Sequence, residues 1–149
     1  MEYSTSPEGE KFNLPREEDH AREFDRLKRL AQEHRDRGQE IVVVMGLGFV
    51  GAVMAGVVAD SVDPNTGDAN KFVIGMQRPS TRSFWKIPLF NRGVSPIKAE
   101  DPEVAPLIAR CVNQKKTLTA TFTHDALSLA DVLVRSEERR VGKECRIGC

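Results

Sequence analysis

The chain is poor in the residues that build disulfide scaffolds and metal centres. Of its 149 residues only three are cysteine and three histidine. Cys111 stands alone in the interior, with Cys145 and Cys149 close to the end, a distribution that gives neither a disulfide framework nor a zinc spacing. Cys111 therefore reads as a small buried hydrophobe rather than a nucleophile. His20, His34 and His124 fall in three separate segments and suggest no metal site. An excess of one charge is missing too: 22 basic residues balance 22 acidic ones, and the two signs are mixed along the chain. That removes the footprint of a nucleic-acid-binding protein. No run approaches the ~18 apolar residues of a membrane-spanning helix. The first residues are polar and charged where a secretory signal would be apolar. These absences predict a cytoplasmic protein of one ordinary domain, and 40% hydrophobic residues suffice for a core.

What is present is concentrated in one place. Ile41 to Gly51 reads IVVVMGLGFVG, an apolar run opening into Gly-x-Gly-x-x-Gly at Gly46, Gly48 and Gly51. Ile41 to Met45 suits a strand buried on both faces, and Phe49 to Asp60, apolar and rich in small residues, suits the helix that follows. The glycines then lie in a strand-to-helix turn, and each has its own reason to lack a side chain. Gly46 allows the tight turn, Gly48 the close approach of a pyrophosphate, and Gly51 the packing of helix on strand. Leu47, Phe49 and Val50 supply backbone and packing around them. Amides at the helix start would face phosphates, so the motif predicts a dinucleotide site.

Elsewhere the pattern predicts a second strand, Lys71 to Met76, after the turn-rich DPNTGDAN loop of Asp63 to Asn70. Gln77, Arg78, Pro79 and Ser80 follow at its carboxyl end, where a cofactor ribose is expected. NAD enzymes usually carry an acid there. Gln77 instead offers an amide to a ribose, and Arg78 a partner for a 2′-phosphate, so the site is read as taking NAD with NADP also compatible. Met1 to Pro15 reads as a loose arm without packed structure. Arg16 to Arg37 reads as a charged helix whose narrow stripe of Phe24, Leu27, Leu30 and Ala31 packs on this chain's own sheet. Ser83 to Glu100, with Trp85, Phe84 and Phe90 among prolines, is an ordered connection. A helix is expected over Asp101 to Asn113, with Asp101 as N-cap and Val104, Leu107, Ile108 and Cys111 inward. Thr117 to Phe122 reads as a third strand, Asp125 to Leu129 as a short helix, and Asp131 to Val134 as the start of a fourth strand. Thr121 and Thr123 lie where they can line the cofactor side, though ordinary strand threonines explain them as well. Alternating strands and helices predict an α/β fold: a Rossmann-like parallel sheet, its first half incomplete, with an N-terminal helical extension.

Several motifs together resemble the nucleotide-sugar dehydrogenases, the UDP-glucose/GDP-mannose dehydrogenase family. GLGFVG (Gly46 to Gly51) is similar to the family's Gly-x-Gly-Tyr-Val-Gly, and FVIGM (Phe72 to Met76) to its second strand. FNRGVSPIKAEDPEV (Phe90 to Val104) is similar to its Asn-x-Gly-x-x-Pro segment, and LTATFTHDALSLADVLV (Leu118 to Val134) to its Thr-Ala-Thr strand, Ala-Leu helix and Ala-Asp-Val strand. Gln77 stands where the family has Asp. The resemblance spans Ile41 to Val134 and implies oxidation of the C6 hydroxyl of a UDP- or GDP-sugar to a carboxylate by two NAD molecules in sequence. It also implies capture of the aldehyde by a cysteine thiolate and a homo-oligomeric parent. The family's cysteine, lysines and sugar pocket belong to later segments, so no catalytic residue is assigned here. Other Rossmann oxidoreductases, such as hydroxyacid dehydrogenases, share the first strand and helix but not Asn91 to Glu100. A non-catalytic nucleotide-binding module would use the Arg16 to Arg37 helix to recruit a partner.

After Val134 the sequence turns abruptly to RSEERRVGKEC, Arg135 to Cys145. These residues resemble the translation of a widely used short-read sequencing adapter, a natural charged C-terminal helix being the alternative. The expected division is therefore an arm and helix over 1–40, a truncated NAD(P)-binding domain over 41–134, and an artefactual tail over 135–149.

Overall fold

A computed structural model describes residues 2–96 and 102–135. Its centre is a four-stranded parallel sheet of β3 (Glu40–Met45), β4 (Lys71–Met76), β5 (Leu118–Thr121) and β6 (Val132–Arg135), in the order β5-β4-β3-β6. Two shorter strands, β1 (Tyr3–Thr5) and β2 (Lys11–Asn13), pair as a separate antiparallel hairpin. The expected α/β architecture is thus present, and β4 runs over the residues read from the sequence. The adapter-like residues beyond Arg135 lie outside the described residues; Arg135 itself ends β6, in register with Met45.

Strand alternation sorts the side chains onto two faces. Val42, Val44, Val73, Leu118 and Ala120 share one apolar cluster with Ala52, Ala55 and Ala59 of α2 (Phe49–Asp60). That cluster also takes in Ile87 and Phe90 of α3 (Lys86–Asn91) and Ile108 of α4 (Val104–Ala109). Ile41, Val43, Phe72, Ile74 and Met76 form the opposite cluster with Leu27 and Ala31 of α1 (Glu17–Asp36). A parallel strand covered on both faces needs no polar alternation, which is why IVVVM is apolar throughout.

The place of α1 follows from a short crossover. Between β5 and β6 there is room only for a 3₁₀ turn, His124–Leu129, which brings Ala126 to the second face. One such turn does not cover four strands, and the 20-residue α1 covers the rest. Of the expected stripe, Leu27 and Ala31 are buried on this chain's own sheet and Leu30 packs at the margin, whereas Phe24 belongs to neither apolar cluster and lies under the Lys28 ammonium. Arg35 ties the helix to the sheet edge through the Leu129 carbonyl at 2.7 Å and Asp131 at 3.1 Å. Asp131 in turn accepts the Ile41 N–H at 2.9 Å.

Two local expectations are corrected. Residues 2–15 are not a loose arm. Ser4 and Ser6 are buried, Phe12 and Leu14 pack against the core, and the Ser4 hydroxyl accepts the Trp85 N–H at 3.0 Å. The hairpin is held by this apolar packing and by a polar contact to a distant segment, a relationship no local periodicity encodes. The helix expected from Asp101 begins at Val104, with Glu103 at its N-cap position, and Asp101 lies outside the described residues. It continues after Ala109 as a π-helical stretch, Arg110–Lys115, that ends at Lys116 in the left-handed conformation. Cys111 is fully buried there, and burial raises its thiol pKa above the ordinary value, which suits a packing residue.

Candidate functional site

The strand order places the site. β3, β4 and β5 succeed one another in one direction across the sheet, whereas β6 returns to the other side of β3. The order reverses at β3, and crevices for ligands open beyond the carboxyl ends of strands at such a reversal. Thr121, Met76, Met45 and Arg135 are in register at that end. The next residues, Phe122, Gln77 and Gly46, therefore stand side by side on the rim. Gly46 N–H donates to the Met76 carbonyl at 2.8 Å and Gln77 N–H to the Thr121 carbonyl at 3.0 Å.

The glycine turn joins β3 to α2 as the sequence predicts. Gly46 has φ of 94°, a conformation that a residue with a Cβ adopts only at a cost. Gly48 is different. It is the N-cap of α2 with φ of −74°, available to any residue, so backbone geometry does not require a glycine there. Gly51 is buried in the first turn of α2. Leu47 is fully buried, its side chain meeting Gly75 of β4. Phe49 and Val50, expected to pack around the turn, are 53% and 41% exposed. The residues that α2 buries are Gly51, Ala52, Ala55, Gly56 and Ala59, with Val53 and Val58 packed at the margin.

Fit to a dinucleotide can be judged from the helix start. No side chain of Gly48 caps α2, and the first turn of the helix has no acidic residue. Helix amides together with the helix dipole favour an anion at that position. The chain's own chemistry there thus suits a phosphate.

A cavity of about 710 Å³ lies along the same rim, bordered by Gly46, Gln77 and Arg78 and closed opposite by His20, Phe122 and Thr123. His20 comes from α1 and meets Phe122 edge to face, with ring centroids 5.0 Å apart. The N-terminal helix therefore forms one wall, a contribution sequence reasoning missed because nothing local in Arg16 to Arg37 points to the strand ends. Of the two threonines, Thr123 lines the cavity. Thr121 instead donates to the Glu23 carboxylate at 2.6 Å, and Glu23 is paired with Arg26 at 2.8 Å.

The Gln77 side chain turns back toward the glycine turn. Its Oε1 accepts the Leu47 N–H at 2.8 Å, while Nε2 lies 3.5 Å from the Ser83 hydroxyl. The Asn-x-Gly pair has a structural role. The Asn91 side chain accepts the Ala120 N–H at 2.7 Å and donates to the Ala120 carbonyl at 3.0 Å, closing the open edge of β5. Gly93 has φ of 86° and lies against Asn113. Ile97 to Glu100, including the acid matched to the family's segment, lies outside the described residues. Among the described residues no three metal-ligating side chains cluster, and no helix is long and apolar enough to cross a membrane.

No family model matches the chain, and no curated protein matches it. Among solved structures it is similar to the NDP-N-acetyl-D-galactosaminuronic acid dehydrogenase of Methanosarcina mazei Go1, at 31% sequence identity and a TM-score of 0.60. The match covers 78% of this chain and 22% of that one, so the chain spans under a quarter of its neighbour's length. Its strand order, glycine turn and this likeness together make the chain a dehydrogenase-related Rossmann unit.

Proposed function

We propose that the chain is the dinucleotide-binding part of a nucleotide-sugar dehydrogenase, an NAD(P)-dependent oxidoreductase of UDP- or GDP-sugars. The observation that carries this reading is Gly48, a glycine that its backbone does not require, set at the uncapped start of α2 where the sheet order reverses. In this proposal Gly46, Leu47, Gly48, Phe49, Val50 and Gly51 present the turn to a pyrophosphate, with Gln77 and Arg78 beside the adjoining ribose. A bound nicotinamide dinucleotide supplies hydride acceptance. This chain's residues bind and orient it, and the sugar-reading and catalytic groups of the whole protein are proposed to lie outside this chain. The likeness to a dehydrogenase of an NDP-amino-sugar acid supports a nucleotide sugar as the substrate of the whole protein.

Titration of the isotopically labelled chain with NAD⁺ tests the reading. The amide signals of Gly46, Gly48 and Gly51 are expected to move together, and Gly48→Val, tolerated by the backbone, to abolish the movement while leaving the fold intact. Saturable binding that ignores Gly48→Val would overturn it. Resequencing the source gene across the codons for Val134 and Arg135 tests the larger assignment: continuation into a second α/β domain and a cysteine-bearing motif supports it.

A further inference from the structure

We infer that the ribose end of this site is built for a 2′-phosphorylated dinucleotide, the NADP class, in preference to NAD; the inference rests on the dinucleotide reading above. Three observations on one stretch of chain carry it. First, the position after β4 has no carboxylate. An acid there accepts hydrogen bonds from both ribose hydroxyls and repels a 2′-phosphate. Gln77 does neither, because it is uncharged and its oxygen already accepts the Leu47 N–H. What remains of its side chain toward the rim is the amide nitrogen, a donor, near the Ser83 hydroxyl.

Second, Arg78 borders the 710 Å³ cavity and is exposed, and among the described residues its guanidinium makes no hydrogen bond or ion pair. A guanidinium offers a planar fork that matches phosphate oxygens. Arg92 is paired with Glu10 and Arg110 with Asp60, whereas Arg78, like Arg29, Arg37 and Arg82, has no ion pair among the described residues. Third, the segment around Arg78 has no counter-charge of its own. Between Asp68 and Glu100 the sequence contains no acidic residue, while Arg78, Arg82 and Lys86 follow β4 in succession. The loop is shaped by hydroxyls instead: Ser80 and Ser83 bond each other at 2.8 Å, and the Ser83 hydroxyl reaches the Arg78 carbonyl at 3.3 Å. That bond fixes the backbone of Arg78 and leaves its head free.

The other titratable groups lining the cavity are His20, His124 and Asp125. Asp125 is the one lining carboxylate among the described residues. It sits on the 3₁₀ turn, not on the loop after β4, with its N–H directed to the Thr123 hydroxyl. It is therefore the residue through which the opposite preference would arise.

Calorimetric titration of the whole 149-residue chain with adenosine 2′,5′-bisphosphate, adenosine 3′,5′-bisphosphate and 5′-AMP, and with NADP⁺ and NAD⁺, decides the matter. The 2′-phosphorylated ligand is expected to bind roughly tenfold or more tightly than its unphosphorylated partner, as one charge-assisted phosphate fork gives. Arg78→Gln is expected to bring that ratio close to one, by weakening the 2′-phosphorylated ligand far more than its unphosphorylated partner. Equal affinity for the 2′,5′- and 3′,5′-bisphosphates would reduce the effect to a basic surface and overturn the inference. So would tighter NAD⁺ binding that is lost in Asp125→Asn, although the dinucleotide reading would then stand. Failure of 5′-AMP, NAD⁺ and NADP⁺ alike removes both.

Discussion

The Gln77 side-chain oxygen accepts the backbone N–H of Leu47 at 2.8 Å, so the residue that follows β4 holds the turn that follows β3. Leu47 is fully buried, and its amide is satisfied there by a side chain instead of by water.

Removing that acceptor leaves a buried donor unpaired. Gln77→Ala is expected to destabilise the fold by about 1–3 kcal/mol, read from urea denaturation, and to speed hydrogen exchange at Leu47. Gln77→Glu retains an acceptor and should keep most of the stability. An unchanged exchange rate in the alanine variant would mean that the turn is held by other contacts.

The same turn is tight against β4. A Cβ built on Gly75 meets Leu47 Cδ2 at 2.6 Å, and Leu47 has no exposed side to retreat to. Gly75→Ala is expected to cost about 1–3 kcal/mol through overpacking and to weaken nucleotide binding along with it. Pairing it with Leu47→Ala should recover part of the loss, since the second change removes the clashing methyls. A double variant no better than the worse single one would show that the clash is not the cause.

Cover from α1 is integral to the second face of the sheet. Leu27 is fully buried among Ile41, Val43, Phe72 and Ile74. Leu27→Ala should therefore lower stability by about 2–5 kcal/mol, whereas the exposed Arg29→Ala should change it little. Thermal denaturation of the two variants compares them directly, and equal midpoints would contradict the packing role.

A buried histidine gives the fold a pH dependence. His34 is 4% exposed, stacks on Phe72 with ring centroids 3.9 Å apart, and bonds the Gln39 side chain. Burial is the main cause of its pKa lying below the ordinary 6.5; Arg37 also lowers it, while Gln39 and Glu33 oppose. The unfolded chain thus binds a proton at a pH where the folded chain does not. The stabilisation is complete above the unfolded pKa and declines as pH falls from about 6.5 through the folded value. Urea midpoints measured across that range should fall, and His34→Phe should flatten the slope while keeping the stack on Phe72. A slope that survives in His34→Phe would assign it to other groups.

Much of this was legible because it is local. The bounds of β4 and α2 follow from short apolar runs framed by turn formers, and Cys111 was placed inside by its position on a helix face. The N-terminal hairpin was not legible. Its burial depends on Ser4 meeting Trp85, 81 residues later, and polar strands of three residues carry no signal of their own. The wall that His20 gives the cavity escaped for the same reason, as did the orientation of Gln77. Composition shows that an amide replaces an acid, but only the register of β3 against β4 turns it toward Leu47.

By itself the sequence determined the type of unit: an apolar strand, a glycine turn and a small-residue helix, repeated as strand and helix, can pack only as a parallel sheet covered on both faces. The tertiary structure decided which segment covers the second face and what surrounds the strand ends. The crossover from β5 to β6 is too short to bury five strand residues by itself, so it shares that task with α1, which the chain places first. Hydrophobic periodicity records that a face is buried; the partner that buries it is set by the space the other elements leave.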